Sequence, residues 1–71
     1  MIPTQKTRLH RIRFCIADLA DNGIQLRGAD DRRLVQVVHD HLEYFQLMLG
    51  YDSDAAEVLE LIRRRMGKIT P

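Results

Sequence analysis

Apolar residues return every three or four positions along most of this chain, and each such run closes on a glycine. Leu9, Ile12, Ile16 and Leu19 form one stripe, with Cys15 and Ala20 on its flanks, which is the recurrence of a one-sided helix. A strand over residues 11–16 would also alternate, but it gives Leu9 and Leu19 no reason to be apolar. The run stops at Asn22 and Gly23, a second stops at Gly50, and a third, through Ala55, Val58, Leu59, Ile62 and Met66, stops at Gly67. Glycine readily takes the left-handed turn that ends a helix. The pattern predicts three helices over about 4–22, 30–49 and 53–66. Asp30 or Asp31 is expected to cap the second, and Asp52, Ser53 or Asp54 the third; Asp54 and Glu57 have the spacing of a capping box. Ile24 and Tyr51, directly after the first two glycines, are expected to fold back on the helix ends. The connector from Ile24 to Ala29 reads as extended, with Ile24 and Leu26 inward and Gln25 and Arg27 outward.

The second predicted helix differs from the others. At 100° per residue, Tyr44, Val37, Met48, His41, Leu34, Phe45, Val38, Leu49, Leu42 and Val35 fill one arc of about 180°. One neighbouring helix cannot cover that much surface. This helix is therefore expected to be the central element, packed on the other two or on a second copy of itself, with Leu34, Val38, His41, Phe45 and Met48 as a dimer interface. The fold class is all-α, a single domain over 1–71 forming a small bundle or a helical hairpin plus a third helix, and dimeric.

Size sharpens the expectation of self-association. With 71 residues, the chain buries a thin core, and domains of this length often gain stability by oligomerising. Its one cysteine, Cys15, cannot form an internal disulfide, and it has no cysteine and histidine set with zinc spacing. At 45% hydrophobic and 30% charged the composition is that of a folded protein. No apolar run reaches the ~20 residues of a membrane span, so a cytoplasmic location and no membrane partner are expected.

The net charge is +1, but residues 1–16 and 63–71 each carry +4 while the middle is acidic. Basic ends and an acidic middle can satisfy one another through antiparallel or head-to-tail pairing. Along the first helix, Lys6, His10, Arg11 and Arg13 surround Phe14 opposite the apolar stripe, an arrangement suited to a phosphate backbone or a stacked base.

Two stretches suggest more specific chemistry. Leu49, Gly50, Asp52 and Ser53, followed by a helix of apolar spacing, resemble the acyl and peptidyl carrier proteins, a likeness covering about a third of the chain. It implies a phosphopantetheine arm on Ser53. Asp54 stands where that family has leucine, and a glycine stop followed by helix-capping residues produces the same letters. An extended segment at 24–27 followed by two helices also resembles the element order of ribbon-helix-helix DNA binders, with Gln25 and Arg27 as base readers. Asp52 and Asp54 stand where that order needs an approach to phosphate.

His41, near the centre of the broad arc, is expected to be a core or interface histidine, with a pH switch as the alternative. His39 and His41 point about 200° apart on a helix, so no metal site is expected from them. The chain has no glycine-rich phosphate loop and no paired nucleophile and base on one face, so neither catalysis nor a cofactor is expected. Phe14 and Leu47 fall on polar faces, which marks contact surface. The resulting expectation is a non-enzymatic regulatory or adaptor protein that binds a protein partner through Arg11, Arg13, Phe14 and Leu47. The alternative is a nucleic-acid binder using Lys6, His10, Arg11, Arg13 and the run Arg63, Arg64 and Arg65. A carrier with a modified Ser53 is the third.

Overall fold

Each helix with a side-chain cap begins where a short polar side chain can take a free backbone N–H. In the computed structural model, which describes residues 4–67, Thr4 Oγ1 accepts from Thr7 N at 3.1 Å and opens α1, Gln5–Asp21. Asp30 accepts from Arg33 N at 2.8 Å and opens α2, Asp31–Asp40. Asp54 accepts from Glu57 N at 2.8 Å and opens α4, Ala55–Arg65. Between them α3, Leu42–Leu49, follows α2 through His41 with no side-chain cap. Among the described residues the protein is all-α, and no helix is long and apolar enough to cross a membrane.

The first helix ends as its sequence predicts. Ile24 N donates to Leu19 O at 2.8 Å and Gly23 N to Ala20 O at 3.0 Å, the paired bonds of a Schellman motif around Gly23 at φ 86°. The end of α3 does not repeat it. Gly50 has φ 123° and ψ 141°, so the chain leaves extended instead of curling back. Tyr51, expected to pack on the helix end, is 79% exposed.

The predicted helix over 30–49 is corrected to two helices. His41 lies outside the helical region at φ −122°, ψ 24°, yet its N–H still reaches Val37 O and its carbonyl still accepts from Phe45 N. No proline or glycine lies at the break, so the cause is tertiary. A straight helix over those residues would run about 30 Å, nearly the whole 33 Å of the molecule's longest axis. Broken at His41, the wide apolar arc is divided between two neighbours. Leu34, Val37 and Val38 are buried on α2, which packs on α4, while Phe45 and Leu49 are buried on α3, which packs on α1.

The contacts close a ring in the order α1, α3, α2, α4. Arg11 meets Met48 and Tyr44 meets Asp18, so α1 and α3 run oppositely; Asp31, the first residue of α2, pairs with Arg63 near the end of α4. Ile12, Cys15, Leu26, Leu34, Val38, Phe45, Leu49, Val58, Leu61 and Ile62 are fully enclosed. Leu26 enters from the connector with Ile24 half-buried beside it, and Gln25 and Arg27 stay outside, as the alternation predicts. The segment forms no strand, and the ribbon-helix-helix order loses its first element. Three of the five residues expected at a dimer face, Leu34, Val38 and Phe45, have no exposed surface. Within one chain the fold buries Leu34, Val37, Val38, Phe45 and Leu49 of the wide arc, while His41, Leu42, Tyr44 and Met48 stay partly open and Val35 is exposed.

Candidate functional site

Arg8 lies on the buried side of α1, four residues before Ile12 and seven before Cys15, with only 4% of its surface exposed. A buried guanidinium is tolerated only where carboxylates and hydrogen bonds replace its water. The turn between α3 and α4 supplies both. Nη2 donates to both oxygens of Asp52 at 2.9 and 2.8 Å. Nη1 donates to both oxygens of Glu57 at 2.9 Å and to Ser53 Oγ at 2.9 Å. The hydrogen bond with Asp52 raises the Arg8 pKa further from neutrality and lowers that of the Asp52 carboxyl. Each group therefore holds the other charged.

The anchor gives the turn a structural part in the fold. Ser53 is fully buried, its N–H donates to Gly50 O at 3.0 Å, and its carbonyl accepts from Gln46 Nε2 at 3.1 Å. In this fold the hydroxyl is closed to a modifying enzyme. Only half of the expected capping box forms. Asp54 caps the helix, but the Glu57 carboxylate turns to Arg8 instead of to the Asp54 backbone, because a buried cation draws it more strongly than a neutral N–H. The sequence signal for Arg8 was its place on the apolar stripe, where a charge has to be matched by acids elsewhere.

Two of the exposed clefts hold residues expected to make contacts, and these two share no residue. One cavity, of about 280 Å³, is lined by Arg13, Phe14, Ile16, Ala17, Arg27 and Arg65. Phe14 is 49% exposed; the Arg13 guanidinium lies 5.6 Å from its ring centre, and His10 meets it edge to face at 5.4 Å. The other cavity, about 450 Å³, is lined by Glu43, Tyr44, Gln46, Leu47 and Tyr51. Leu47 is 66% exposed.

The expected partner-binding set is therefore divided. Arg13 and Phe14 belong to the first surface and Leu47 to the second, while Arg11 bridges α1 to α3 by donating to Met48 O at 3.3 Å. The basic run is divided as well. Arg63 pairs with Asp31 at 3.4 Å and Arg64 with Glu60 at 3.7 Å, leaving Arg65 beside Arg13 and Arg27. Lys6 and His10 are exposed on α1. His41 and Met48 are half-buried, with His41 at a cleft also lined by Asp18, Asn22 and Tyr44. Arg27 is the groove residue that basic-run counting missed, because it lies alone in the connector.

Beneath α3, burial pushes the Cys15 thiol up to about 11. Burial, together with the 2.8 Å hydrogen bond to Asp18, also raises the Tyr44 phenol above its ordinary value. Both groups are held neutral at pH 7. Among the described residues no cluster of three or more histidine, cysteine or carboxylate side chains could hold a metal ion.

Among the described residues the protein is thus a ring of four helices with a buried arginine anchor, and it exposes Phe14 in one cleft and Leu47 and Tyr51 in another. Comparison with protein-family models, curated proteins and solved structures finds no match for the chain.

Proposed function

We propose that this protein is a non-enzymatic adaptor that docks a protein partner on the surface around the end of α3. The carrying observation is the pair Leu47 and Tyr51, 66% and 79% exposed, beside the partly buried ring of Tyr44 in one cavity. Exposed large apolar groups gathered in a concave place favour contact, and tyrosine is frequent among the residues that dominate interface energy. Glu43 stands at the rim with no ion-pair partner among the described residues. The partner segment that fits carries an apolar side chain for the cleft and a cation for Glu43, the chemistry of an amphipathic helix in a groove. The buried Arg8 anchor supports this role by fixing the Gly50 to Asp54 turn, and with it the position of Tyr51.

The test is affinity capture from host lysate with the parent protein, Leu47→Asp and Tyr51→Ala, using Arg33→Gln as an exposed control. Substitutions at such exposed positions change stability by about 0.5 kcal/mol or less, so circular dichroism should be unchanged. A partner retained by the parent and the control but lost by both cleft variants supports the adaptor function. Equal capture by all four proteins refutes it.

A further inference from the structure

We propose that the groove formed by Arg13, Arg27 and Arg65 binds single-stranded nucleic acid, with guanidiniums on phosphates and the Phe14 ring stacked on a base. This is a second site, independent of the Leu47 and Tyr51 cleft. Three separate elements bring its cations together: Arg13 from α1, Arg27 from the connector and Arg65 from the last turn of α4. No carboxylate lines the groove, and none of the three makes an ion pair with the described residues. Convergent like charges repel, and a bound polyanion relieves that repulsion. The neighbouring arginines differ: Arg63 and Arg64 have carboxylates within 4 Å, so Arg65 is the member of its run turned to the groove.

The residue types narrow the anion. Guanidinium forks match phosphate oxygens two at a time, which a lysine cannot do. Phe14 remains half exposed although Arg13 lies over its ring, an arrangement that prepares an aromatic platform for a further planar group. A base offers such a face to every sequence; an acidic peptide supplies the charge but not the ring. Stacking of this kind needs a base free of its own duplex, which favours a single strand. Lys6 and His10 continue the basic stripe along α1 toward Thr4, over about 10 Å of helix between Lys6 and Arg13, giving the strand a track beyond the groove.

The experiment is fluorescence anisotropy of a labelled single strand of about a dozen nucleotides, a length within the usual site sizes, titrated with the full chain. Its duplex is titrated in parallel, and polyglutamate serves as a competitor. Three phosphate contacts predict a slope of log affinity against log salt near −2, hence about an 18-fold loss between 50 and 200 mM salt. Arg27→Gln should reduce the slope by about 0.7, and Phe14→Ala should weaken binding at least about fivefold. Arg33→Gln, outside the groove, should leave the slope within error of the parent. Absence of binding at 50 mM salt would overturn the proposal. So would equal affinity for the duplex, displacement by polyglutamate at matched charge, or indifference to Phe14→Ala. Because Arg13, Phe14, Arg27 and Arg65 lie outside the Leu47 cleft, failure here leaves the protein-docking proposal standing, and the reverse also holds.

Discussion

Replacing Ser53 with alanine tests directly whether this serine is a structural part of the Arg8 anchor. The hydroxyl accepts one hydrogen bond from a charged donor, Arg8 Nη1 at 2.9 Å, in a fully buried setting. Bonds of that kind contribute about 1.5–3 kcal/mol. Both Glu57 oxygens also lie 2.9 Å from Nη1 and can take the N–H released by the substitution. The loss should therefore fall at the lower end, about 1.5 kcal/mol. A domain of this length has a total stability of only about 4–10 kcal/mol, and each kcal/mol moves its melting point by about 4–8 °C. Ser53→Ala should consequently melt roughly 6–12 °C below the parent at pH 7, followed by circular dichroism. A cycle with Glu57→Gln should show coupling, since both acceptors serve one nitrogen. A Ser53→Ala protein that melts with the parent would refute the buried network. So would intact-mass detection, in protein recovered from the host, of an adduct that maps to Ser53.

The anchor also predicts an acid limit, because the folded Asp52 pKa lies below its unfolded value through the hydrogen bond from Arg8. The stability from this group is complete above the ordinary carboxylate range near pH 4 and is lost as pH falls through the depressed folded value. Asp52→Asn should flatten that acid limb in urea melts taken across pH; an unchanged limb would show that the pair contributes nothing there. At the other extreme, the enclosed Cys15 thiol, with a folded pKa of about 11 against an ordinary 9.0, favours the folded state fully below pH 9 and loses that contribution as pH rises through 11. Iodoacetamide at pH 8 should label it only after unfolding in guanidinium, read by intact mass. Rapid labelling of the native protein would contradict its burial.

Where the helices start and stop was legible because those signals are local. Asp30, Asp54 and Gly23 act within a few residues of themselves, and the structure uses each as its position in the chain suggests. Gly50 resembled Gly23 in sequence, yet its chain leaves extended, because the next turn has to bring Asp52 and Ser53 to Arg8. Tyr51 is exposed as a result. The carrier-like letters around Ser53 were visible, but the partner that explains the serine lies forty-five residues earlier.

The apolar periodicity by itself determined an all-α protein, its helix boundaries to within a residue or two outside the break at His41, and the inward turn of Leu26. Periodicity records which side of a helix avoids water, and that is a property of consecutive residues. It does not record what covers that side. Only the tertiary structure decided that the wide arc of residues 30–49 is divided at His41 between α4 and α1. It likewise decided that Arg8 belongs to the interior and that Arg13, Arg27 and Arg65 meet around Phe14. Each of these depends on groups distant in the chain, whose encounter is set by packing four helices into one closed ring.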